Sequence, residues 1–118
     1  MCYKIDNVDL NEFDTSKVQD MRYVFYNCKN LKNVDLSLFD TSNVIDTSYM
    51  FTNCNNLKTI YVSDSFLTNN ITSSSHMFSN DSLLVGGNGT PYNNSYTDKT
   101  YARIDTSETP GYFTLKSE

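Results

Sequence analysis

The chain has 118 residues, enough for one domain with a modest core. Fourteen acidic residues against nine basic ones give a net charge of −5, and the basic residues are scattered, so the clustered cations that bind phosphates are missing and nucleic acid is excluded as a partner. No apolar run approaches the ~18 residues of a membrane-spanning helix, no basic amphipathic stretch suits a membrane surface, and the N-terminus lacks the charged-then-apolar pattern of a secretion signal.

The chain reads as a repeat. Val8 to Asn33 and Val34 to Thr59 align position for position over 26 residues, 16 of them identical. A period of this length with one apolar pattern per period predicts a solenoid, in which each unit buries its hydrophobic side against its neighbours. Cys2 to Asn7 matches Cys28 to Asn33, so the chain starts inside a unit. The expectation is a piece of a longer protein whose first coil is uncapped and prone to self-association.

Each unit opens with the spacing LxxVxL: Ile5, Val8 and Leu10; Leu31, Val34 and Leu36; Leu57, Ile60 and Val62. The two-residue step predicts a short strand with Val and Leu facing inward and Asp9, Asp35 and Tyr61 facing solvent. Phe13-Asp14-Thr15-Ser16 and Phe39-Asp40-Thr41-Ser42 follow, a core anchor and then turn chemistry. Asp20 and Asp46 stand where N-caps would, which predicts a single helical or 3₁₀ turn over Met21 to Phe25 and Thr47 to Phe51. In the third unit one inserted residue moves the offset to 27, so Phe66, Ile71, Met77-Phe78 and Leu84 continue the columns while Asp81 replaces cysteine. The pattern ends at Gly86. Residues 1–85 are thus predicted to form the solenoid, as a partial unit 1–7 and units 8–33, 34–59 and 60–85. Residues 86–118 are predicted to form a C-terminal β cap with short strands at Tyr101 to Ile104 and Tyr112 to Leu115.

These residues resemble the BspA-like leucine-rich-repeat surface proteins of bacteria, whose repeat reads LDLSxFDTSNVTDMSxMFxxC. Val34 to Asn56 follows that pattern closely, although Thr47 stands where methionine is usual, and LVGGNGT, DKTYARID and PGYFT resemble the family's terminal segment. The resemblance implies a leucine-rich-repeat-like fold of short parallel strands and short helical turns. It also implies a secreted or cell-surface bacterial protein, often one concerned with adhesion or host contact. It carries over no active site and no cofactor.

No enzyme is expected from the residues themselves. His76 is the only histidine, and Ser73, Ser74 and Ser75 precede it in one turn, where adjacency does not supply a converging triad. The cysteines Cys2, Cys28 and Cys54 form one column, read as a buried reduced ladder, although a disulfide between neighbours is geometrically allowed and zinc is not. The columns Asp9/Asp35, Asp14/Asp40 and Asp20/Asp46 are read as turn and cap residues. Calcium between coils is the alternative, weakened because it needs six to eight oxygens and the columns fail in the third unit.

Two surfaces remain as candidate binding sites. One is the solvent side of the strands: Asp9, Asn11, Asp35, Ser37, Tyr61 and Ser63. The other is a ridge of Tyr23, Tyr49 and His76, amphipathic rings of the kind enriched in interfaces. The expected function is a non-enzymatic adhesion module presenting a repetitive surface to a host or cell-surface protein or glycan, the alternative being a spacer that holds another domain away from the cell.

Overall fold

A computed structural model describes residues 14–116. Its regular structure is a small open sheet of three parallel strands, β1 (Asn33–Asp35), β2 (Thr59–Val62) and β3 (Phe113–Leu115), in the order β1-β2-β3. Val34 lies beside Ile60 and Ile60 beside Phe113, all buried, while Asp35, Tyr61 and Thr114 form the adjoining row on the other side. Alternation of β-branched inward and polar outward residues explains the first two strands, as the two-residue spacing predicts. The strand expected at Ile5 to Leu10 lies outside the described residues.

The segments Met21 to Phe25 and Thr47 to Phe51 are not helical: they are chains of tight turns. Tyr23, Asn27, Tyr49, Asn53, His76 and Asn80 all have φ between 56° and 68°, two per unit, and a left-handed residue ends any right-handed helical turn. Backbone N–H groups freed from a helix donate instead to the next unit. Met21 N bonds Asp46 O at 2.9 Å, Phe25 N bonds Met50 O at 2.8 Å, and one unit on Thr47 N bonds Ser73 O at 2.9 Å and Phe51 N bonds Met77 O at 2.8 Å. Single parallel bridges join Asp20 to Asp46 and Asp46 to Ser73. Positions one repeat apart therefore lie side by side at this corner as well as in the sheet.

The expected N-caps do their bonding inside turns. Asp20 Oδ1 accepts from Arg22 N at 2.9 Å and Asp46 Oδ1 from Ser48 N at 2.9 Å, and Asp14, Asp35 and Asp40 accept in the same way from Ser16, Ser37 and Ser42. Among the described residues no group of three or more His, Cys, Asp or Glu is arranged to hold a metal ion.

The core is built of columns. Phe25, Phe51 and Phe78 stack with ring centroids 5.1 and 5.5 Å apart and planes within 7° of parallel, all buried. Cys28, Cys54 and Asp81 form a second buried column, and Leu31, Leu57 and Leu84 a third. Cys28 is disulfide-bonded and Cys54 is free, so the expected fully reduced ladder does not hold at Cys28. Burial first, then the negative charge potential of Asp81, pushes the Cys54 thiol up to about 12, so it stays protonated and inert.

After Leu84 the chain leaves the register and returns at β3. The edge of β2, where a next unit's strand would pair, is taken by Phe113, which also meets Phe66 and Phe78 edge-on at 4.8 and 6.1 Å. The crossing is tight. A Cβ on Gly86 would collide with the Gly111 carbonyl and Asp105, and one on Gly111 with the Arg103 carbonyl. The buried Asp105 carboxylate binds Asn88 N, Thr90 N, Thr90 Oγ and Gly111 N at 2.7–3.1 Å and so ties loop 86–91 to the segment entering β3. Burial works to raise its pKa, but these four bonds outweigh it and hold the group below the usual carboxylate range. The strand expected at Tyr101 to Ile104 is instead a 3₁₀ turn, Lys99–Tyr101, capped by Asp98, followed by a single bridge from Ile104 to Phe113.

Candidate functional surfaces

The ridge forms where each unit takes its first left-handed residue. Tyr23 and Tyr49 stack with centroids 5.2 Å apart and planes 4° from parallel, and Tyr49 and His76 stack at 5.3 Å and 24°. Tyr26 closes on Tyr23 edge-on at 5.3 Å. Tyr23 is 45% exposed, His76 is exposed and Tyr49 half-buried. The stacking has a chemical consequence: ring faces are used against each other, so between units the ridge offers ring edges and polar tips. Beside it runs an amide ladder, with Asn53 Nδ2 donating to Asn27 Oδ1 at 2.9 Å and Asn80 Nδ2 to Asn53 Oδ1 at 2.7 Å.

Holding bulky residues at positive φ is expensive, about 1–2 kcal/mol each for a non-glycine residue. Asparagine and, less often, histidine visit that region; tyrosine seldom does. Sequence alone gives no sign of the strain at Tyr23 and Tyr49, because among these positions only the Asn column and His76 carry residue types that favour the left-handed region.

His76 Nδ1 lies 3.0 Å from Ser79 Oγ, and Ser74 Oγ accepts from Lys99 N at 3.1 Å. Among the described residues no carboxylate is hydrogen-bonded to His76. The three serines and the histidine therefore do not converge.

On the strand side, Asp35, Ser37, Tyr61 and Ser63 are all half-buried. Asp9 and Asn11, expected in the same surface, lie outside the described residues. Ser63 is committed to the fold: its hydroxyl donates to Ser37 O at 2.7 Å and lies 2.8 Å from Ser65 Oγ. Asp35 and Tyr61 are adjacent in register, and both meet a residue that the repeat pattern does not point to. Lys116 Nζ sits 3.1 Å from Asp35 Oδ2 and 5.2 Å from the centre of the Tyr61 ring. Burial tends to raise the Asp35 pKa, but bonds from Ser37 and the nearby Lys116 charge prevail and lower it.

An apolar groove of about 310 Å³ opens at the first described unit, lined among others by Val18, Met21, Val24 and Phe39. Val24 is 42% exposed there, whereas Met50, its equivalent one unit on, is fully buried between neighbours. No helix among the described residues is long and apolar enough to cross a membrane.

The family model described as "Mycoplasma protein of unknown function, DUF285" matches residues 1–104. No curated protein and no solved structure matches the chain.

Proposed function

Because the chain belongs to the family described as Mycoplasma protein of unknown function, DUF285, we propose a function from its own surface: a non-enzymatic adhesion module displayed at a bacterial cell surface. Residues 1–85 act as a leucine-rich-repeat-like solenoid and residues 86–118 as its cap. The in-register hydrogen bonds between units and the seat of β3 on β2 support this architecture. The partner is a host or cell-surface protein or glycan, held by many modest contacts repeated along the stack.

The observation that carries the binding reading is the Tyr23–Tyr49–His76 ridge. Three units each hold an aromatic or imidazole ring at positive φ on the outside of the molecule, and residues kept in costly backbone regions concentrate at ligand-binding sites. Stacking offsets part of that cost, about 0.5–1.5 kcal/mol per pair. The test replaces all three rings by asparagine, which keeps the left-handed backbone and removes the aromatic edges. Binding of the immobilised protein to arrays of glycans and matrix proteins is expected to fall at least tenfold with the unfolding midpoint little changed. A folded triple variant that bound as well as the parent would remove the ridge from the account, and a parent that bound nothing would leave the spacer reading.

A further inference from the structure

The row Asp35–Tyr61 holds a cation supplied by the chain itself. Lys116 leaves the end of β3, and its backbone N–H bonds Val62 O at 2.9 Å. Its side chain, 44% exposed, turns back across the sheet. The ammonium crosses the face of Tyr61 at 5.2 Å and ends 3.1 Å from Asp35 Oδ2. Asp35 is prepared for it: Oδ1 is held by the Ser37 N–H at 2.9 Å, which aims Oδ2 along the row. An aromatic face and an oriented carboxylate, both half-buried, make a site of the right chemistry for a primary ammonium.

We propose that the Asp35–Tyr61 row is a docking site for a lysine side chain of a partner polypeptide, and that Lys116 is a resident occupant which the partner's lysine displaces. This deepens the binding reading and rests on it, naming a basic protein segment as the partner class on the strand side. The excess of acidic residues draws such a segment in over longer range. A single exposed ion pair and a single exposed cation–π contact are each weak, so the resident lysine is readily exchanged and one incoming lysine binds feebly. Affinity has to come from several lysines on one segment, the first of them competing with Lys116 at an effective concentration in the millimolar range, as for short flexible linkers.

The test is a fluorescence-anisotropy titration at low salt with a labelled lysyl-alanyl hexapeptide, Lys-Ala repeated three times, against the full chain. Lys116→Ala keeps the backbone bond to Val62 and is expected to tighten peptide binding about three- to fivefold, the range open to one exposed ion pair. The gain is expected to disappear in Lys116→Ala/Asp35→Asn and Lys116→Ala/Tyr61→Leu, and binding to vanish when the peptide lysines are acetylated. Lys29→Ala changes net charge equally, at an exposed turn, and is expected to leave affinity nearly unchanged. Equal tightening in Lys29→Ala, no tightening in Lys116→Ala, or a gain that survives loss of Asp35 and Tyr61 would each overturn the proposal. The ridge triple variant separates the two readings, since it is expected to bind the hexapeptide as the parent does even where it has lost its array ligands.

Discussion

Asp81 stands in the column that Cys28 and Cys54 occupy, fully buried, with Oδ1 accepting from Cys54 N at 2.9 Å and Oδ2 without a hydrogen-bond partner. Burial pushes its carboxyl up to about 9, against a partial lowering by the Cys54 N–H. The group is therefore neutral in the folded chain at pH 7 and ionised in the unfolded chain. A carboxyl whose folded pKa is raised contributes a loss of stability that grows as pH rises from its unfolded value near 4 toward about 9. Stability is expected to fall with pH across that window by up to ~1.4 kcal/mol per unit. Asp105 has the opposite sign: its pKa is lowered by folding, so its contribution is present at neutral pH and is lost as pH falls below the carboxylate range. Urea midpoints should thus be higher at pH 5 than at pH 8, and Asp81→Asn should flatten that difference. An unchanged slope in the variant would place the titrating group elsewhere. Sequence marked Asp81 only as a lapse in the cysteine column, because nothing in a repeat alignment tells a buried acid from a solvated one.

At the scale of the element, the stacked phenylalanines set the cost of losing one unit's anchor. Phe51 lies between Phe25 and Phe78 with no exposed surface, so Phe51→Ala leaves a cavity bounded on both sides by rings that cannot close it. The expected loss is about 3–5 kcal/mol in chemical denaturation, a large part of a small domain's stability. The ridge residue Tyr49, two positions earlier, should cost much less when replaced by asparagine.

The strands at Val34 and Ile60 were legible because a period of two over inward β-branched residues has one meaning. Met21 to Phe25 was not: five residues are too few to separate a helical period from a series of turns. What decides there, the left-handed state of Tyr23 and Tyr49, leaves no mark in residue type. The C-terminal strand Phe113–Leu115 was readable from its aromatic and β-branched residues, but its partner was not. β2 is some fifty positions away, and the repeat offset no longer applies. Lys116 escaped notice for the same reason, since its place over Tyr61 exists only once β3 pairs with β2.

The described residues form a compact body of nearly equal extents, 33 by 31 by 31 Å. The third unit carries its extra residue between Val62 and Phe66, where Ser63 and Ser65 still bond Ser37 O and Phe39 O in the previous unit. The turn absorbs the addition, and the columns on either side keep step.

This has a consequence for how such a protein changes length. Between neighbouring described units backbone donors and acceptors meet one repeat apart, as Met21 N with Asp46 O and Thr47 N with Ser73 O do, so a complete duplicated segment brings its own matching edges. A chain with Val34 to Thr59 copied in tandem is expected to fold, to grow by about 4.8 Å in one direction, and to unfold no more easily than its parent. Thirteen inserted residues, half a segment, should instead aggregate or lose cooperative unfolding, because they would set sheet against corner. Scattering and calorimetry on the two variants distinguish these outcomes.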